Sequence, residues 1–129
     1  MEKNDKLDTI FALQRMLNED ITRLRGLDGI TYEEWIQKYT LAIISELSEL
    51  LCEVNFKWWK NKKPLDNEAI REELVDILHF LISMCIRSGM SAEDLYNGYI
   101  EKNQENFDRQ YGKSNKEGYA ISHANDLNC

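Results

Sequence analysis

The chain has 129 residues, enough for one domain with a real core, and 43% hydrophobic, 30% charged and 10% aromatic residues describe an ordinary soluble protein. Sixteen Lys and Arg against 23 Asp and Glu give a formal net charge of -7, which argues against nucleic-acid binding, since that depends on clustered positive charge. No apolar run reaches the roughly 18 residues of a membrane span, because Asp76, His79 and Ser83 interrupt Leu74–Ile86. The polar start, Met1-Glu2-Lys3-Asn4-Asp5, lacks the apolar stretch of a secretory signal. Cys52, Cys85 and Cys129 are odd in number and widely spaced, so a zinc site or disulfide framework is not expected and a cytoplasmic location is.

One proline, Pro64, and six glycines leave long segments with helical apolar spacing. The first helix is expected from Lys6 to Leu24, with Leu7, Ile10, Leu17, Ile21 and Leu24 in one stripe, Gln14 filling the missing place and Gly26 ending it. Thr31 followed by Glu34 is a capping signature for a second helix that runs to about Phe56. A basic, tryptophan-bearing connection, Lys57 to Pro64, leads to a third helix from about Asp66 to Ser88-Gly89. The second half of that helix is apolar on every side, which suits the middle of a bundle or a subunit interface. Ser91 and Asp94 open a fourth helix that reaches about Gln110. The expected fold is therefore all-α, a bundle of about four helices forming one domain over residues 1–110, with a mobile tail at 111–129.

On the second helix Glu46 and Glu49, three apart, share a face with Trp35, Tyr39 and Ala42, and Glu53 follows one turn later. Glu73 and Asp76 repeat the spacing on the third helix, beside Phe80 and Met84. A buried, unpaired carboxylate costs several kcal/mol, and only Arg87 offers a basic partner on these faces. The pairs are either solvated edges or, on neighbouring antiparallel helices, one nest of four carboxylates. Oxygen-only ligation suits Mg²⁺ or Mn²⁺, and Mg²⁺ commonly completes its octahedron with phosphate oxygens.

On the fourth helix Lys102, Asn106 and Arg109 share one face, either as a solvated helix end or as donors to phosphate. Gln14 either fixes helix register or, with Asn18 one turn later, reads the edge of a base. Trp58, Trp59 and His79 have ordinary structural readings as well, as rim or core residues.

Glu46-x-x-Glu49 followed 24 residues later by Glu73-x-x-Asp76 resembles the metal-binding signature of the all-α nucleoside triphosphate pyrophosphatases. Leu13-Gln14-Arg15-Met16-Leu17-Asn18, Phe56-Lys57-Trp58-Trp59-Lys60, Glu73–Phe80 and Tyr99–Asn103 with Asn106 and Arg109-Gln110 are similar to the dimeric dUTPases within that group, in the same order. The resemblance implies Mg²⁺-dependent hydrolysis of dUTP to dUMP and diphosphate in a homodimer. It assigns Glu46, Glu49, Glu73 and Asp76 to the metal, with Glu49 acting on the attacking water. Gln14, Asn18, Trp58 and His79 surround the uracil in this reading, Phe80 packs on the deoxyribose, and Lys102, Asn106 and Arg109 hold the phosphates.

The sequence departs from that pattern in three places. Ser45 replaces a further glutamate, a helical insertion of the longer members is missing, and the family's Gly-Tyr is displaced to Gly118-Tyr119. Hydrolysis of dCTP or of several deoxynucleoside triphosphates is the nearest alternative, and a non-catalytic helical interaction module is the alternative of another class.

Overall fold

The computed structural model describes residues 5–119 and 121, and these contain four helices and no strand. They are α1 (Lys6–Arg25), α2 (Tyr32–Glu53), α3 (Asn67–Arg87) and α4 (Ala92–Gln110). The all-α expectation holds. Residues 1–4 of the expected domain, and 120 and 122–129 of the expected tail with Cys129, lie outside the described residues.

Local chemistry sets each boundary. The Asp5 side chain accepts from the Asp8 N–H while the Asp8 carboxylate accepts from the Asp5 N–H, closing a reciprocal cap on α1. Gly26, at φ 63°, ends that helix in the left-handed conformation a side chain would resist. Thr31 Oγ1 accepts from the Glu34 N–H at 3.2 Å and opens α2. Asp66 accepts from the Glu68 and Ala69 N–H groups, both at 3.1 Å, and opens α3.

The end of α2 differs from expectation: the helix stops at Glu53, not near Phe56. Asn55 takes φ 58°, and its amide bonds both backbone groups of Lys63, accepting from N–H at 2.9 Å and donating to C=O at 3.0 Å. This clamp turns the chain out of the helix and ties both ends of the basic connection together.

The chain divides after Ala92 into two compact units. In the first, α3 packs against both α1 and α2, as its all-round apolar surface predicts. Phe11, Trp35, Tyr39, Ile82, Cys85 and Ala92 are the buried apolar residues of that unit. Burial raises the Cys85 thiol pKa above its ordinary value. Much apolar surface is left uncovered: Leu13 and Met16 of α1, Leu41 and Ile44 of α2, and Leu74 and Val75 of α3 are each more than half exposed.

In the second unit, α4 is followed by a short return. The Lys113 N–H donates to the Asp108 carbonyl at 2.7 Å and Ser114 Oγ donates to Glu105 at 2.6 Å. No single helix among the described residues is long and apolar enough to cross a membrane.

Candidate functional site, a carboxylate cluster beside an aromatic cavity

Glu46 and Glu49 project from successive turns of α2, and Glu73 meets them from α3. One oxygen of each lies within 4.8 Å of the others. Glu46 Oε2 and Glu73 Oε2 are buried and meet no hydrogen-bond donor, and none of the ion pairs among the described residues reaches this cluster. Two facing acceptors without a donor repel one another. The Glu73 carboxyl is accordingly pushed up to about 7, first because a proton there is shared with Glu46, then by burial and by the Glu49 charge.

Such a group of oxygens is completed by a proton or by a hard cation. The donor set, carboxylate only, fits Mg²⁺ or Mn²⁺. Asp76 stands apart from this arrangement. It lies one turn beyond Glu73 and lines the adjoining cavity together with Glu46. Three of the four expected carboxylates thus meet directly. Glu53 is engaged elsewhere, with Lys63 Nζ at 3.4 Å.

The cavity encloses about 520 Å³ between α1, α2 and α3. One part of its lining is aromatic. Trp35 stacks on Tyr39 at 5.1 Å between centroids, and Tyr39 meets Phe80 at 6.2 Å. The Arg87 guanidinium lies 4.3 Å over the Trp35 ring, so Arg87 is held by an aromatic face and by no carboxylate of the cluster. Another part is polar and made by Gln14, Asn18, His79 and Ser83.

Gln14 is only 6% exposed and uses both ends of its amide. Its Nε2 donates to Asn18 Oδ1 at 2.9 Å, and its Oε1 faces His79 Nδ1 at 2.5 Å. Asn18 Nδ2 donates to Ser83 Oγ at 3.1 Å. An amide buried in an apolar stripe needs partners, and these are they.

Of the residues singled out in the sequence for the base and sugar, Gln14, Asn18, His79 and Phe80 come together in this cavity. Trp58 is placed elsewhere. It is 85% exposed on the α2–α3 connection, edge-on to Trp59 at 4.6 Å. In the sequence Ser83 stands out only as a break in an apolar run. The signal it carries is its place one helical turn after His79, on the same side as the histidine.

In the second unit Lys102 and Asn106 are exposed on α4. Arg109 is engaged by its neighbours: its Nε donates to Glu105 at 3.0 Å and its guanidinium lies 5.5 Å from the Tyr119 ring. Ser114 and Arg109 hold the Glu105 carboxyl below its usual range, and Glu105 in turn holds Arg109 above its own.

An all-α frame that sets an acidic, cation-competent cluster against a cavity lined by amides and aromatic rings defines the general class. The family model for dUTPase matches residues 6–92 and therefore spans α1 to α3 with both the cluster and the cavity. The chain belongs to the dUTPase family. It is 47% identical over 109 residues to the dCTP pyrophosphatase of Enterobacteria phage T4, covering 84% of this chain and 57% of that protein. It is 35% identical over 104 residues to the dCTP pyrophosphatase of Enterobacteria phage LZ5, covering 71% of this chain and 60% of that protein. A DNA replication protein of phage T4 is 26% identical over 103 residues, which is 80% of this chain and 23% of that protein. The chain thus spans less than two-thirds of the length of the curated relatives it matches. No solved structure matches it.

Proposed function

We propose that this protein is a divalent-cation-dependent nucleoside triphosphate pyrophosphohydrolase that converts dUTP and water to dUMP and diphosphate. The observation that carries the reading is the pair of buried, donorless oxygens of Glu46 and Glu73 within reach of Glu49 and beside the cavity. Glu46, Glu49 and Glu73, with Asp76 next to them, hold Mg²⁺, for which Mn²⁺ substitutes. When bound, the cation supplies charge neutralisation along the phosphate chain and acidifies water.

The chain's own groups do the rest. Glu49, the exposed member of the cluster, orients the attacking water and takes its proton. Gln14 and Asn18 offer the base edge their second amide hydrogens and the remaining Gln14 Oε1 lone pair, His79 completes that wall, and Phe80 packs on the deoxyribose. Lys102, Asn106 and Arg109 hold the phosphates, Arg109 by exchanging the Glu105 carboxylate for a phosphate oxygen. Trp58 joins the base when its connection moves or when a second subunit supplies it. Residues 1–110 form the catalytic domain, in a cytoplasmic homodimer that covers the exposed apolar residues of α1 and α3.

Hydrolysis of dCTP is the second reading, favoured by the two phage relatives named dCTP pyrophosphatase. Diphosphate release from dUTP, dCTP, dTTP and UTP, each with Mg²⁺ and with EDTA, tests both. Mg²⁺-dependent release with dUTP ahead supports the first, and dCTP ahead supports the second. No release from any of the four defeats the pyrophosphohydrolase reading.

A further inference from the structure

The polar wall of the cavity is a directional chain of hydrogen bonds, and its direction is set at one end. Ser83 Oγ lies 2.7 Å from the backbone carbonyl of His79, one turn earlier in α3. A carbonyl only accepts, so the one hydroxyl proton of Ser83 is spent there. Ser83 Oγ therefore accepts from Asn18, at 3.1 Å, which turns Nδ2 of that amide toward Ser83 and Oδ1 toward Gln14. Asn18 Oδ1 accepts from Gln14 Nε2 at 2.9 Å, which leaves Gln14 Oε1 to face His79 Nδ1 at 2.5 Å. The neutral imidazole must then carry its proton on Nδ1.

The reverse order is equally complete in hydrogen bonds except at its anchor. There both amides would flip, the Ser83 proton would turn to Asn18 Oδ1 standing where Nδ2 now lies 3.1 Å away, and His79 Nδ1 would become the acceptor. The His79 carbonyl would lose its serine donor. Ser83 is 1% exposed, so water does not compete for its proton.

We propose that Ser83 is a specificity-positioning residue: its hydroxyl fixes the direction of the Asn18 and Gln14 amides and so decides which pyrimidine edge the cavity accepts. This rests on the nucleotide reading given above. In one fixed pose, a 4-oxo base with an N3–H needs a donor opposite position 4 and an acceptor opposite position 3. A 4-amino base with an N3 lone pair needs the inverse. An amide held in one orientation satisfies one base and confronts the other with two like groups, whereas an amide free to flip serves both. Ser83 touches neither base nor phosphate in this scheme. It acts through Asn18 and Gln14.

The test uses the full chain as Ser83→Ala and as the volume-preserving Ser83→Cys, with two readouts. Long-range ¹⁵N–¹H correlation of the neutral His79 ring is expected to show the Nδ1–H form in the native protein and a gain of the Nε2–H form in both variants. A native ring in the Nε2–H form, or one tautomer common to all three proteins, overturns the relay. The ratio of kcat/KM between dUTP and dCTP is expected to shrink by about tenfold or more in the variants, whichever base the native protein prefers. Equal losses on both substrates with the ratio intact would mean that Ser83 is merely structural. A native protein inactive on every triphosphate would defeat the pyrophosphohydrolase reading and the selectivity role together. The relay itself would then be judged by the ring tautomer alone.

Discussion

Glu73 faces Glu46 with no donor between their buried oxygens, and its carboxyl has risen to about 7 from an ordinary 4.5. A group whose pKa is higher in the folded than in the unfolded state favours folding while protonated. That contribution is fully present below about 4.5 and is lost as the pH rises through about 7. Protein stripped of cations with EDTA is therefore expected to melt at progressively lower temperature across this window. The stabilisation by Mg²⁺ should grow over the same range, because a cation takes the place the proton leaves. Melting curves from pH 4 to 9 with and without Mg²⁺ check both trends; parallel curves would contradict them. Glu73→Gln replaces one of the two facing acceptors with an amide that can donate to Glu46. It should flatten the pH dependence, raise the melting temperature in EDTA above pH 7, abolish the Mg²⁺ shift and lower any triphosphate hydrolysis by at least about 100-fold.

At the level of single elements, the caps and the clamp at the end of α2 give separable predictions. Asp66→Ala leaves the first N–H groups of α3 unsatisfied and should cost about 1 kcal/mol in urea unfolding. Asn55→Ala removes both bonds to Lys63 and places a Cβ-bearing residue without a polar side chain at φ 58°, so about 1–2 kcal/mol is expected. A change below a few tenths of a kcal/mol in either would mean that the cap or clamp contributes little.

These features also mark what could be read before the structure. Helix starts were visible at Thr31 and Asp66 because capping is a local chemistry, and Gly26 announced the end of α1. The end of α2 was hidden, because the Asn55 turn depends on Lys63, eight residues away. Glu46, Glu49 and Glu73 could be picked out because carboxylates beside apolar faces conflict with burial. The separate position of Asp76 could not, since it depends on how far α3 is displaced along α2, which the spacing within either helix does not encode. Trp58 sits on a connection without periodicity, so its place was beyond reach of pattern. Ser83 reads alone as a break in an apolar run, and only Asn18, 65 positions away, reveals its part.

For the molecule as a whole, the uncovered apolar surface of the first unit is the dominant fact. Ile10, Leu13 and Leu17 of α1 face Val75, Leu78 and Ile82 of α3 across a groove of about 470 Å³. Ile82 is already buried, whereas Leu13 and Val75 are more than half exposed and would each contribute up to about 1.5–3 kcal/mol if a partner covered them. Sedimentation analysis is expected to find a homodimer, and Leu78→Glu, which sets a charge in the groove, should yield monomers with α-helical content retained. A dimer that survives this change would place the interface elsewhere.

Gln14, Leu17 and His79 line this outer groove and also the inner cavity, so the same side chains form a party wall between two rooms. Whatever seats against one side leans on the other. If a second copy seats in the groove and a nucleotide in the cavity, as proposed above, the two equilibria would be linked through these three side chains. Whatever factor the nucleotide adds to the dimerisation constant, dimerisation must return to the nucleotide affinity. The protein would sense its own concentration through the strength with which it holds its ligand, and a dissociation constant that drifts with protein concentration would be the signature.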